Sequence, residues 1–405
     1  MSDQALSGFK VIDLTHYITG PFCTKLLADY GAEVIKIERP CVGDITRRLG
    51  PFWQDEPDYE KSGLFLHLNT NKKSITLNLK SETGKEILMK LVEGADALVE
   101  NFAPGTLAKL DIDYQRLTRI NPKLVMTSIS NFGQNGPYRD FKASELVLYG
   151  MGGAMYMCGL PEREPQKLAG TFLLYQAGIA AANATVAGLL VSESQDEGQY
   201  IDVAITEAIA SGVDRLHTNL NAYSFNREIQ PRFAIAPVYA PGTGAYPCKD
   251  GYVNLVLMTR QYLERTKNLL GHPEFLDDPK WEDPTMPSNP ELRDEFIVYY
   301  LNWLADKTKQ EVVELAEQNN ILGAPLNTME DLFADHHLKA RETLVEIEHP
   351  IVSRLEYASR PFRMSETPWQ VNRPAPLLGE HNQEIYSELG YSIKEQITLS
   401  TLGII

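Results

Sequence analysis

The side chains that most often carry chemistry show few short-range patterns in this chain. The adjacent histidines His336 and His337 stand in a helical stretch, where neighbouring side chains point in different directions, so they do not form a metal pair. The four cysteines show neither CxxC pairs nor zinc spacing, and no GxGxxG follows the first predicted strand. We therefore expect no bound metal and no nicotinamide or flavin cofactor.

The composition is that of an ordinary globular protein. Its 405 residues are 43% hydrophobic and 23% charged, which suffices for two domains and a large core. The formal net charge of −16 argues against nucleic acid or an anionic membrane as the main partner. Any anionic ligand therefore needs a local cluster of cations. Unpatterned cysteines and an N-terminus without a signal-peptide pattern lead us to expect a cytoplasmic protein.

Strand and helix patterns alternate over the first 130 residues. Pro21 and Gly31 stand as the start and stop signals of the first helix. The strand-like apolar runs are residues 9–14, 32–38, 95–100 and 123–129. The alternation predicts an α/β fold with a large doubly wound parallel sheet.

The pattern changes near Tyr239, which predicts a smaller inserted α+β domain. A glycine loop is followed by a hairpin with Lys249-Asp250-Gly251 as its turn. The last sixty residues return to short strands and a helix over 382–389. The predicted division is a large domain over 1–220, a small domain over 225–335, and a return to the large domain over 340–405.

One apolar stretch, residues 172–191, is nearly long enough to cross a bilayer. It carries Gln176, Asn183 and Thr185, and it has no flanking basic cluster or aromatic belt. Its many small residues suit close packing inside a protein. We predict a buried helix and no membrane association.

Several longer motifs are distributed along nearly the whole chain. They are DLTHYITGPFCTKLLADYGAEVIKIERPCVGDITR, NTNKKSITLNLKSETGKEIL, VENFAPGTL, SISNFGQNGPY, GQYIDVAITEA, GAYPCKDGYV and APLLGEHNQEIYSELGY. In order and spacing they resemble the class III CoA-transferase family, which includes formyl-CoA and carnitine CoA-transferases. The resemblance implies two chains interlocked as a dimer, and coenzyme A or acyl-CoA as a substrate.

Matched positions imply a CoA site. The residues expected to contact the nucleotide part or its phosphates are Arg39, Leu77, Lys80, Asn101, Phe102, Lys109 and Lys142. Ile18 and Thr19 match positions near the thiol end, and Glu145 completes the predicted set. Lys109 replaces an arginine usual in formyl-CoA transferase, which keeps the charge but loses bidentate phosphate binding.

The nucleophile position is the main departure from the family. Active members carry an aspartate where this chain has Leu174, and that carboxylate attacks the acyl thioester to form a mixed anhydride. Released CoA thiolate then gives an aspartyl-CoA thioester. An isobutyl side chain cannot attack, and Tyr175 and Gln176 are no substitutes for a carboxylate. The predicted catalytic set of this chain is therefore empty.

Two further departures bear on function. The α-methylacyl-CoA racemases of the same family need that aspartate and a histidine near Ala143, and this chain has neither. The loop Gly242-Thr243-Gly244 is shorter than the glycine run that shields the intermediate in formyl-CoA transferase. This chain therefore departs from the family at the loop that shields the intermediate.

Three functions stay open. We favour a subunit that lacks the nucleophile and works with a homologous aspartate-bearing chain, exchanging CoA between small carboxylic acids such as succinyl-CoA and benzylsuccinate. The second is a non-catalytic homodimeric CoA-binding protein. The third is an active enzyme that uses another residue or a ternary-complex route.

Overall fold

The computed structural model describes residues 4–212, 216–229, 232, 241–283, 285–286 and 289–405. They fall into two compact units. The larger comprises Met1–Tyr156, Lys167–Ile229 and Glu342–Ile405, and the smaller comprises Met157–Gln166 and Gln230–Arg341. Compared with the domain bounds proposed from the sequence, the smaller unit also includes the segment 157–166. The predicted pattern change at Tyr239 lies outside the described residues.

A six-stranded parallel sheet lies at the centre of the larger unit, which confirms the predicted α/β fold. Its strands are β1 (Lys10–Asp13), β2 (Glu33–Glu38), β3 (Lys72–Thr76), β4 (Ala97–Glu100), β5 (Val125–Ser130) and β6 (Tyr200–Ala204). They run in the order β3-β2-β1-β4-β5-β6. The order reverses between β1 and β4, and open α/β sheets bind ligands beyond the carboxyl ends of their strands at such a point.

Helices connect these strands, and two more helices follow β6. They are α1 (Thr19–Asp29), α2 (Gly63–Leu68), α3 (Glu82–Glu93), α4 (Thr106–Lys109), α5 (Tyr114–Ile120), α6 (Glu145–Met151), α7 (Phe172–Gln195), α8 (Ile205–Gly212) and α9 (Leu216–Asn226). The predicted start of α1 at Pro21 is two residues late. Helical bonding already includes Phe22 N–H to Ile18 O at 2.8 Å. Proline is tolerated in a first helical turn because N–H groups there have no helical partner.

Helix α7 contains the long apolar stretch. Its small residues permit close packing, since a Cβ on Gly178 would lie 2.8 Å from the carbonyl oxygen of Thr19. By length and composition α7 could also cross a membrane, and 44% of its apolar window is buried within the chain. Phe172, Ile179 and Leu190 on this helix are exposed. The helix therefore buries one side in the core and leaves apolar side chains on the other.

The smaller unit contains the predicted hairpin. Strands β7 (Gly244–Cys248) and β8 (Gly251–Leu255) pair antiparallel, and β9 (Gly323–Pro325) pairs with β8. Its helices are α10 (Leu263–Leu270), α11 (Pro290–Ala305), α12 (Lys309–Gln318), α13 (Met329–Ala334) and α14 (His336–Ala340). Thr243 Oγ1 donates to Leu257 O at 2.8 Å, so the short glycine loop is fastened to its own unit.

The C-terminal part completes the larger unit. It contains the antiparallel pair β10 (Leu344–His349) and β11 (Ser353–Ala358), followed by α15 (Asn382–Glu388) and α16 (Ile393–Thr401). Tyr386 donates its hydroxyl hydrogen to Thr76 O at 2.6 Å, and it packs in the core beside Ile75 and Leu77. This segment therefore supports β3 and the loop that follows it.

Candidate functional site

Two loops meet where the strand order reverses, after β1 and β4. His16 N–H donates to Asn101 Oδ1 at 2.8 Å, and Asn101 Nδ2 donates to His16 O at 2.7 Å. The rings of His16 and Phe102 pack edge to face with centroids 5.6 Å apart. Burial lowers the pKa of His16, which favours the neutral ring. These contacts fix Asn101 and Phe102 at the carboxyl edge of the sheet.

A first cavity of about 580 Å³ opens beside these loops, between the ends of β2 and β3, and is called here the β2–β3 cavity. Its lining includes the predicted residues Arg39, Leu77, Lys80 and Phe102, together with Arg48, which the sequence did not single out. Leu77 is buried, while the three cations are exposed at the rim. The cavity thus combines an apolar wall with positive charge.

The acidic residue in this lining is already neutralised. Glu38 Oε2 is paired with Arg47 Nε at 2.8 Å, and both side chains are fully buried. The guanidinium of Arg47 and its hydrogen bonds hold the pKa of Glu38 low against the effect of burial. Arg39, Arg48 and Lys80 form no ion pair within the part of the chain that the structure describes. Their charge is therefore available to an anionic ligand.

A second cavity of about 660 Å³, the β4–β5 cavity, lies on the other side of Phe102 and Thr106, which line both. Its lining includes the predicted residues Thr19, Asn101, Lys109, Lys142 and Glu145, and also Leu174. The two lysines are exposed and form no ion pair with any described residue. Nine of the ten predicted binding residues line one or both of these neighbouring cavities.

Ile18 is the predicted residue that lines neither cavity. It is buried at the N-terminus of α1, where it precedes Thr19. Its place near a CoA thiol stays a prediction. Tyr17, which the sequence did not single out, lines the β4–β5 cavity with a positive φ of 71°. Positive φ is uncommon for a residue other than glycine, and this backbone geometry gave no sequence signal.

Leu174 forms part of the wall of the β4–β5 cavity. It lies in the first turn of α7 and is 5% exposed. The cavity lining also contains two buried polar atoms without a hydrogen-bond partner in the described part of the chain, Ser130 Oγ and Glu145 Oε1. The other oxygen of Glu145 is 2.9 Å from Lys167 Nζ. Buried polar atoms without a partner are costly, so they indicate a place where a ligand supplies the missing bond.

Truncation of Leu174 tests whether it is a cavity wall or a core residue. We expect Leu174→Ala to lower the free energy of unfolding by about 2 kcal/mol, because part of this side chain already faces a void. Leu173→Ala is the matched control, since Leu173 is 1% exposed and lines no cavity described here. It should cost about 3–5 kcal/mol. Urea denaturation of both variants measures the difference, and equal losses would show that Leu174 is packed on all sides.

A third cavity of about 390 Å³, the β5–β6 cavity, lies against Ser128 of β5 and Tyr200 of β6. Glu100 at the end of β4 lines it, and its Oε2 accepts the Phe102 N–H at 2.7 Å. Burial raises the pKa of Glu100 to about 7, although the hydrogen bond from Phe102 N–H acts in the opposite direction. Near neutral pH a large share of this carboxyl is therefore protonated.

The raised pKa of Glu100 predicts a pH-dependent stability. Because the folded chain binds this proton at a pH where the unfolded chain does not, lowering the pH from about 8 to 5 should stabilise the fold through this group. We expect the parent chain to gain about 2–3 kcal/mol relative to Glu100→Gln over that range. Urea denaturation of both proteins at the two pH values measures it. An unchanged difference between them would mean that Glu100 ionises normally.

Known proteins share extensive sequence similarity with this chain. The sequence model described as CoA-transferase family III matches residues 6–382. The formyl-CoA:oxalate CoA-transferase of Streptomyces avermitilis is 36% identical, with 99% of this chain and 100% of the relative covered. The succinyl-CoA–L-malate CoA-transferase beta subunit of Chloroflexus aurantiacus is 33% identical, with 97% and 96% covered.

A solved structure is also similar over nearly the full length. The crystal structure of a CAIB/BAIF family protein from Brucella suis has a TM-score of 0.82 and 30% identity, with 96% of this chain and 100% of that chain covered. The resemblance inferred from the motifs is therefore confirmed. The chain belongs to CoA-transferase family III.

Proposed function

We propose that this chain is a CoA-binding subunit of a family III CoA-transferase and that a homologous chain supplies the aspartate nucleophile. The observation that carries the proposal is Leu174 in the wall of the β4–β5 cavity. The carboxylates in the same lining are Glu145, paired with Lys167, and Asp140, whose side chain is 79% exposed. Neither occupies the position from which family nucleophiles attack.

The cations support CoA as the ligand. CoA carries a 3′-phosphate and a pyrophosphate, which require positive charge. Five cations line the β2–β3 and β4–β5 cavities without an ion pair to any described residue: Arg39, Arg48, Lys80, Lys109 and Lys142. They stand out in a chain whose net charge is −16. We place the nucleotide in the β2–β3 cavity and the thioester end in the β4–β5 cavity, with Phe102 and Thr106 between them.

The proposed partner supplies the nucleophile that this chain lacks. In the proposed assembly, the partner's aspartate attacks the acyl-CoA carbonyl, so that a C–O bond forms and the C–S bond breaks. The CoA thiolate then attacks the aspartyl carbonyl and releases the first acid. The second acid attacks the resulting aspartyl-CoA thioester and expels CoA thiolate, which leaves a second mixed anhydride. The thiolate then attacks the carbonyl carbon of the second acid, so that the new acyl-CoA forms and the aspartate carboxylate is released. Small carboxylic acids are the substrates, with succinyl-CoA and benzylsuccinate as one such pair, and we expect the reaction in the cytoplasm.

Two observations support an assembly of more than one chain. The exposed apolar residues Phe172, Ile179 and Leu190 of α7 suit an extensive interface, as expected for interlocked chains. An interlocked dimer should bury far more than the roughly 1,600 Å² of a standard interface. In addition, the similar protein of Chloroflexus aurantiacus is named as a beta subunit. If no second chain exists, the alternative is a non-catalytic homodimer that only binds CoA.

Glu145 supports a second candidate function, an enzyme that uses its own carboxylate. Its Oε1 is buried and has no hydrogen-bond partner among the described residues, and Glu145 lines the same cavity as Leu174. Its other oxygen is held by Lys167 at 2.9 Å, which disfavours attack on a thioester. We therefore rank this route second.

Native mass spectrometry of the untagged protein purified from its own cells tests the proposal. We expect a complex with a homologous chain of similar size that carries aspartate at the position corresponding to Leu174. Co-expression of the two chains should give acyl-exchange activity. A fully active homodimer of this chain would contradict the proposal that a second chain supplies the nucleophile.

A further inference from the structure

The β5–β6 cavity is separate from the predicted CoA-contacting residues, yet it borders the β4–β5 cavity. Ala103, Thr106 and Arg139 line both cavities. Two buried nitrogen atoms in its lining, Arg139 Nε and Gln134 Nε2, have no hydrogen-bond partner among the residues that the structure describes. Both are donors, and an acceptor bound in the cavity would supply the hydrogen bond that no described residue provides.

Arg139 is held at the boundary of the two cavities. A Cβ on Gly105 would lie 2.9 Å from Nη2 of Arg139, and Gly105 has a φ of +78°, so glycine admits the guanidinium there. The carboxylate of Asp140 is 3.9 Å from Arg139 Nε, beyond hydrogen-bond distance. The guanidinium is therefore near the cavity without a hydrogen bond from Nε.

Gln134 and Glu100 complete the arrangement. The main-chain N–H of Gln134 donates to Asp202 Oδ2 at 2.8 Å, which fixes the loop that carries its side-chain amide. Glu100, whose pKa burial raises to about 7, can present a neutral carboxyl that donates a hydrogen. The remaining carboxylate of the lining, Asp113, is engaged in capping α5 through Arg116 N–H at 3.0 Å. A guanidinium, an amide and a protonated carboxyl together match a carboxylate ligand.

We infer that Arg139 and Gln134 form a subsite for the distal carboxylate of a dicarboxylic acid whose reacting carboxylate lies in the β4–β5 cavity. The inference rests on the proposed function, because it places the acid substrate of that reaction. The shared lining at Thr106 and Arg139 lets a short carbon chain extend from one cavity to the other. Arg139 then selects dicarboxylic over monocarboxylic acids of equal length.

Calorimetry on the native assembly saturated with CoA tests this subsite. Succinate and butyrate are the probes, because they have the same chain length and differ in the distal carboxylate. We expect succinate to bind at least about tenfold more tightly, since a charge-assisted bond is lost with butyrate. Arg139→Met should remove this preference and leave butyrate affinity unchanged. Arg116→Met, which removes a cation that lines none of the three cavities, should leave the preference intact.

Gln134→Leu provides a second variant if Arg139→Met does not fold, and it should weaken succinate binding by several-fold. Equal affinity of the parent for the two acids, or a full preference in Arg139→Met, would overturn the subsite. A CoA titration of the same samples separates this failure from that of the proposed function. CoA binding without acid discrimination refutes the subsite alone, whereas absence of CoA binding refutes both.

Discussion

Replacing the partner's aspartate with asparagine should abolish CoA transfer by the assembly, whereas Leu174→Ala in this chain should not. Loss of a covalent nucleophile typically costs on the order of 10⁴-fold or more in turnover, since no acyl-enzyme intermediate can form. Leu174 supplies no reacting atom, so its truncation should change the rate by less than about tenfold. Steady-state acyl exchange by the two variant assemblies measures both effects.

The two variants form a matched comparison, because the proposed aspartate of the partner and Leu174 of this chain occupy corresponding positions in the two sequences. Leu173→Ala serves as the control for general loosening of α7, since Leu173 is buried and lines no cavity. Two outcomes would assign the chemistry to this chain. One is that the assembly stays active without the partner's aspartate. The other is that Leu174→Ala loses as much activity as the partner's aspartate-to-asparagine variant. In that event Glu145, with its unpartnered Oε1, becomes the first residue to replace.

Arg39→Ala should weaken CoA binding by about tenfold or more. Arg39 stands at the carboxyl end of β2, lines the β2–β3 cavity and forms no ion pair with a described residue. Removing one charge-assisted phosphate contact costs roughly 1.5–3 kcal/mol, which corresponds to that loss of affinity. Isothermal titration calorimetry of the native assembly with CoA measures it.

Arg116→Ala is the charge-matched control for Arg39→Ala. It also removes one arginine, but Arg116 pairs with Asp111 and lines none of the three cavities. Its CoA affinity should equal that of the parent. If Arg39→Ala and Arg116→Ala bind CoA equally well, then Arg39 does not contact CoA. Lys80→Ala then serves as the second test of the same cavity.

The sequence predicted much of the sheet but not all of its strands. β1, β2, β4 and β5 are apolar runs and were predicted, since strands buried on both faces consist largely of Val, Ile and Leu. β3 was not, because it begins with two lysines. Lys72 is fully buried, and its Nζ lies 3.1 Å from Asp13 Oδ2. A search for apolar runs misses a strand that contains a buried lysine, because the carboxylate that pairs with the lysine is distant in the sequence.

The candidate site could be predicted only through the family resemblance. Its cations follow different strands, so no local spacing connects Arg39 with Lys142. The β5–β6 cavity was not predicted at all, because it depends on how Arg139 packs beside Gly105 and on which polar atoms are left without partners. Such properties arise from side-chain packing, and a pattern of residue types does not contain them.

Trapping the covalent intermediate tests the central claim most directly. The purified native assembly is incubated with acyl-CoA, treated with hydroxylamine or borohydride, and each chain is examined by mass spectrometry. We predict a modified aspartate on the homologous partner and no adduct on this chain, because Leu174 offers no acyl acceptor. A trapped adduct on any carboxylate of this chain, Glu145 included, would contradict the proposed role as the subunit without a nucleophile.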